Sequence, residues 1–114
     1  MKLAIARQGG TVIVTVSGRL SSAVADQFQD QLMAELDRTP AALVVDFSDL
    51  RFITSTGLRT LIVAAKRAHG EGYRIHLCGM SETIFEVFEV SGLLRIFTVH
   101  PSLEAGLAAV DATV

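Results

Sequence analysis

The sequence predicts a single small α/β domain over residues 1–114, a mixed five-stranded sheet flanked by four helices. Three observations carry this. Apolar and polar residues alternate through most of the first twenty positions, Ala42 to Phe47 form a short β-branched apolar run of the kind that is covered on both faces, and the hydrophobic period then switches repeatedly between two and nearly four. With 50% hydrophobic residues in 114, the chain has apolar material for one core and not for two.

The elements follow in order. Lys2 to Arg7 alternates, breaks at Gly9-Gly10, and resumes from Thr11 to Val16, which reads as an antiparallel hairpin. After Ser21-Ser22, Val24, Phe28, Leu32 and Leu36 recur at every fourth position among polar neighbours, an amphipathic helix closed by Pro40. Ala42 to Phe47 is the central strand. From Ser55 the spacing of Leu58, Leu61, Ile62 and Ala65 predicts a second helix, ended by Gly70 and Gly72 with Lys66, Arg67 and His69 gathered in its last turn. Tyr73 to Cys78 alternates as a fourth strand, Ser81 to Val90 reads as a third helix, Leu93 to Phe97 as a fifth strand, and Pro101-Ser102 opens a last helix through Leu103, Leu107 and Val110. Strands separated by helices are expected to pair in parallel through right-handed crossovers. Val44, Val45, Phe47, Leu61, Ile62, Leu77 and Phe88 are the expected core.

Most chemistries find no constellation here. The longest apolar runs, Ala41 to Val45 and Leu61 to Ala65, are far too short to span a bilayer, and the N-terminus has no basic-then-apolar leader, so a cytoplasmic location is expected. Ten basic against 12 acidic residues, for a net charge of -2, give no footprint for nucleic acid. Cys78 has no partner for a disulfide or metal site, and His69, His76 and His100 lack the spaced carboxylates or cysteines that metals use. No phosphate-binding glycine motif follows a strand, and Thr54-Ser55-Thr56-Gly57 lacks the leading glycine of a nucleophile elbow. Neither an enzyme nor a cofactor is expected.

What remains is Asp46 to Leu58, which leaves a buried strand and enters a helix with three adjacent hydroxyls. The plainest account is that Thr54 or Ser55 caps the helix, worth about 1 kcal/mol. That explains one hydroxyl, and a hydrophobic staple explains at most one of the two large apolar residues, Phe52 and Ile53, that stand before it.

This segment, D-F-S-D-L-R-F-I-T-S-T-G-L, resembles the STAS domain family of anti-sigma factor antagonists and sulphate transporters. It matches the family pattern D-[FL]-S-x-[LV]-x-[FY]-[ILM]-D-S-[ST]-G-[LI] at every position but Thr54, where the family usually has Asp. The early hairpin, Gly18-Arg19-Leu20 and Leu77-Cys78-Gly79-Met80 fall in family order along the whole chain. The resemblance implies a phosphoacceptor at Ser55, with Thr54 and Thr56 as competing hydroxyls. It also implies a partner-binding surface at Ser21, Thr54, Ser55, Thr56, Gly57, Leu58 and Arg59. The implied partner is an anti-sigma factor serine kinase of histidine-kinase-like ATPase fold, bound while the serine is unmodified, so that a sigma factor is freed. The alternative is a constitutive STAS scaffold subunit of a stress-signalling assembly or a lipid-transport complex.

Overall fold

The computed structural model describes residues 1–112. The elements are β1 (Lys2–Gln8), β2 (Thr11–Leu20), α1 (Ser22–Asp37), β3 (Ala42–Asp46), β4 (Leu50–Ile53), α2 (Ser55–Gly70), β5 (Ile75–Cys78), α3 (Glu82–Val90), β6 (Thr98–His100) and α4 (Leu103–Ala112). Five strands lie in the order β1-β2-β3-β5-β6, and β4 pairs with β2 off this path. Among the described residues only the β1–β2 hairpin is antiparallel. Gly9 and Gly10, with φ of 54° and 89°, supply the two positive-φ positions that let its turn follow the twist of the strands.

Parallel pairing explains the sequence of β3. Every residue of Ala42–Asp46 is buried, because α1, α2 and α3 cover one face of the sheet and α4 the other. On the thicker side, Val12, Val14, Leu43, Val45 and Leu77 meet Phe28, Leu32 and Leu36 of α1, Leu61 and Ala64 of α2, and Ile84 and Phe88 of α3. The opposite side holds a smaller cluster of Ala42, Val44, Cys78 and Val110, on which Leu103 and Leu107 of α4 pack. Of the seven residues expected in the core, six are buried; Ile62 is half-buried.

Two segments differ from the sequence reading. The fifth strand lies at Thr98–His100 rather than Leu93 to Phe97. Leu93–Arg95 instead form a 3-10 turn entered through Gly92 at φ 72°, and Phe97 is buried edge-on to Phe88, with ring centroids 6.0 Å apart. The apolar run thus folds back onto α3, and the less apolar residues after it extend along β5. The second difference is β4, a four-residue strand that the sequence reading left within the connection to α2.

Two polar contacts bear on stability. Glu35 of α1 is buried, and its carboxylate accepts from Arg7 Nε at 3.1 Å and Arg7 Nη2 at 2.8 Å, which ties the helix to the edge strand. On the α4 side, His76 Nδ1 lies 2.9 Å from His100 Nε2. Burial, then the neighbouring His100 and Arg74, hold the His76 imidazole below its ordinary value of 6.5.

Arg7→Ala strands the Glu35 carboxylate and is expected to cost about 1–3 kcal/mol in denaturant unfolding. The fold prefers neutral His76, so its contribution to stability is complete above pH 6.5. As pH falls below that value the unfolded chain takes up the proton first, and stability declines until the pH passes the folded value. Unfolding curves at pH 7.5 and pH 5 are therefore expected to differ less for His76→Gln than for the parent chain.

Candidate functional site

The Asp46–Leu58 segment is built around two carbonyl-rich corners. At the first, β3 ends as the Asp46 carboxylate accepts from the Ser48 amide at 3.0 Å and the Ser48 hydroxyl at 2.6 Å, a local turn after which the chain resumes in the same direction as β4, also parallel to β2. Gly79 follows β5 at φ 72° and packs against this turn so closely that a Cβ there would collide with the Ser48 hydroxyl. The D-F-S and C-G elements of the sequence are thus two halves of one corner.

At the second corner, β2 outruns β3. Thr11 to Thr15 pair with β3, a bulge follows at Gly18/Arg19, and Gly18 to Leu20 pair in parallel with β4. Because α1 follows β2 and α2 follows β4, the two helices begin side by side. Thr54 is the N-cap of α2, with extended φ/ψ of -93° and 169°, and its Oγ1 accepts from the Gly57 amide at 3.1 Å. The Thr54 amide donates to the Leu20 carbonyl at 3.0 Å, and Thr54 Oγ1 makes a longer contact of 3.4 Å with the same oxygen. Ser22 Oγ of α1 donates to Thr56 Oγ1 at 3.2 Å, a direct link between the two helix starts.

This division of labour leaves Ser55, the first helical residue, exposed and without a side-chain hydrogen bond among the described residues. The cap is Thr54, and Thr56 accepts from Ser22. Ser55 is the hydroxyl of the three that the fold does not use.

The family model described as "STAS domain" matches residues 2–106. The chain belongs to the STAS domain family. BtrV of Bordetella bronchiseptica, provisionally named an anti-sigma factor antagonist, is 37% identical over 109 residues, covering 96% of this chain and 94% of BtrV. An anti-sigma factor antagonist from Mycobacterium paratuberculosis superimposes with a TM-score of 0.89 at 24% identity, covering 96% of this chain and 93% of that one. The antagonist SpoIIAA superimposes in its unphosphorylated form with a TM-score of 0.84 at 19% identity, covering 99% of both chains. Its phosphorylated form, from Bacillus, gives 0.73 at 18% identity, covering 99% of this chain and 100% of that one. These structural likenesses carry the fold.

Within this STAS domain the surface residues named from the sequence separate into two groups. Ser55, Thr56 and Arg59 are exposed, while Ser21 and Thr54 are half-buried. Gly57 and Leu58 are buried beneath them and form the seat of the helix start. Ser21 is the N-cap of α1 but makes no side-chain cap bond. Ser22, Arg19 and Phe52 are additions to this surface: the sequence reading named each of them, Phe52 as unexplained before the cap, without giving it a place there. Phe52 is 40% exposed and the Arg19 guanidinium stacks over its ring, 4.3 Å from the centroid, whereas Ile53 is buried. The two large residues before the cap therefore have different jobs, one core and one surface. The available signals were the unexplained large residue before the cap and the place of Gly18-Arg19-Leu20 in family order, and neither carries a role for Arg19.

Gly57 has no room for a side chain. A Cβ would stand 2.9 Å from the Leu20 carbonyl oxygen, 3.0 Å from Leu20 Cγ and 3.1 Å from Ile53 Cγ1. Gly57→Ala is expected to destabilise the domain by about 1–3 kcal/mol in chemical denaturation, because the backbone of β2 must shift to admit the methyl group.

Proposed function

We propose that this STAS domain is an anti-sigma factor antagonist whose partner-binding face is switched by phosphorylation of Ser55. The observation that carries the reading is the free Ser55 hydroxyl at the start of α2, with the capping duty taken by Thr54. Relatives bearing the antagonist name, and a fold neighbour known in both phosphorylated and unphosphorylated forms, support it.

The partner is an anti-sigma factor serine kinase, and the face it meets is Ser21, Thr54, Ser55, Thr56 and Arg59, flanked by Arg19 and Phe52. A phosphate on Ser55 brings a charge of about -1.5 to -2. It lies at the N-terminus of α2, beside that of α1, where helix dipoles favour negative charge by about 0.3–2 kcal/mol. Arg59, four residues on, stands on the same helical face and adds a cation. The modified domain therefore stays folded. Across an interface the same dianion must give up water beside whatever faces it, at a cost of several kcal/mol, and about 1.4 kcal/mol is tenfold in affinity. Binding switches while folding does not.

Thr54, in place of the family's usual Asp, supplies the cap without the carboxylate. It makes the contact with the Leu20 carbonyl as a donor, which an ionised carboxylate could not do. A kinase that recognises this domain does so without an acidic residue at that position.

Ser55→Ala is expected to bind the cognate kinase within about threefold of the unmodified protein, and Ser55→Asp at least about tenfold more weakly, with both melting close to the parent. With kinase and ATP, fragmentation mass spectrometry is expected to place the phosphate on Ser55, and Thr54→Val and Thr56→Val to remain substrates. Equal affinities for all three proteins, with no phosphate on any of the three hydroxyls, would refute the switch and favour the constitutive scaffold.

A further inference from the structure

A cavity of about 660 Å³ opens at the opposite end of α2 from Ser55, between the last turns of that helix, the start of β5 and the turn before β6. Its floor is apolar, formed by half-buried Ile62, by Ile96 and by the ring of Tyr73. Its rim is cationic, with Lys66, Arg74 and Arg95, and no carboxylate lines it among the described residues. Arg74 is not a free-swinging charge: its Nη2 donates to the carbonyls of Arg95 at 2.6 Å and Phe97 at 2.9 Å, which fixes the guanidinium at the rim. Glu71 is the carboxylate whose field reaches Tyr73, and it is bound by Arg67 at 3.0 Å.

One further feature sets this depression apart from an ordinary patch of surface. Ile62 belongs by its helical spacing to the core and is nevertheless left half-buried, facing this space. The Tyr73 hydroxyl is itself buried, with no hydrogen-bond partner among the described residues, so the cavity meets the ring and not the hydroxyl. The volume lies within the range of about 300–1,000 Å³ usual for small-molecule pockets with an apolar lining and a few convergent polar groups.

We propose that this cavity binds a small amphipathic anion, an apolar chain or ring bearing one carboxylate, with its body on Ile62, Ile96 and Tyr73 and its head between Lys66, Arg74 and Arg95. The positive rim over an apolar floor selects against a neutral apolar molecule, which gains the floor alone, and against a simple inorganic anion, which gains the rim alone. The site is separate from the Ser55 surface, and its occupancy does not depend on the switch proposed there.

The test uses octanoate as the probe and 1-octanol as its neutral twin, titrated into isotopically labelled full-length protein and followed by amide NMR. Octanoate is expected to move the signals of Ile62, Lys66, Tyr73, Arg95 and Ile96, with a dissociation constant at least about tenfold below that of octanol. The double variant Lys66→Glu/Arg95→Glu changes only exposed side chains and is expected to weaken octanoate at least about tenfold while leaving octanol unchanged. Ile96→Ser, which removes part of the floor, is expected to weaken both ligands together and provides a second reading should the double variant fold poorly. No shifts up to about 10 mM octanoate, shifts centred elsewhere, equal affinity for octanol, or undiminished binding by the charge-reversed and floor variants would each overturn the proposal.

Discussion

The Leu20 carbonyl is the point on which the surface around Ser55 hangs. It accepts the Thr54 amide at 3.0 Å, is touched by the Thr54 hydroxyl at 3.4 Å, and leaves no room for a Cβ on Gly57. All of this follows from the bulge in β2, which lets one strand serve β3 with its first half and β4 with its last. Without that extension, α1 and α2 would not start from adjacent strands, and Ser22 would not reach Thr56. The serine is therefore displayed by backbone geometry laid down more than thirty residues earlier in the chain, at Gly18 to Leu20.

The pair of helices is fastened at both ends by polar contacts, Ser22 to Thr56 at the start and Asp37 to Arg67 at 2.7 Å near the finish. Exposed contacts of this kind add little to stability, and they set orientation more than energy. The hold comes from Phe28, Leu32 and Leu36 of α1 packing into the same core as Leu61, Ala64 and Ala68 of α2. The alanines matter because they let the helix backbones approach. Along α2 only the C-terminal end carries the charge its dipole favours, with Arg67 and His69 in the last turn, while the first turn has hydroxyls and no carboxylate and leaves the positive end of the dipole uncompensated.

How much of this was legible in the sequence depended on whether local pattern or distant pairing decided the outcome. β3 and α2 were legible because burial on both faces, or on one stripe, writes itself directly into residue types. β4 was not, since in Leu50–Ile53 only the two end residues point inward, and its partner lies across α1 in a strand already assigned to another neighbour. Leu93 to Phe97 had the composition of a strand, and packing of Phe97 against Phe88 overrode it. At the site, the motif pointed to three hydroxyls but not to their roles, because which of them caps is fixed by the backbone angles at Thr54. Arg19 over Phe52 joins residues whose proximity only the β2–β4 register creates.

Cys78 sits where the α4 layer meets the sheet, buried beside Asp46, and a Cβ on Gly106 of α4 would collide with its sulfur. Burial, with a smaller contribution from Asp46, pushes the thiol up to about 11. At neutral pH roughly one sulfur in ten thousand is then a thiolate, and none of those is open to reagent while α4 stays in place. The chain's lone cysteine is thus doubly insulated from oxidants. The same burial makes the sulfur a built-in reporter of breathing motion: the rate at which an alkylating reagent consumes it counts how often the single-helix side of the sheet lifts away, a motion that the opposite, three-helix side need not share.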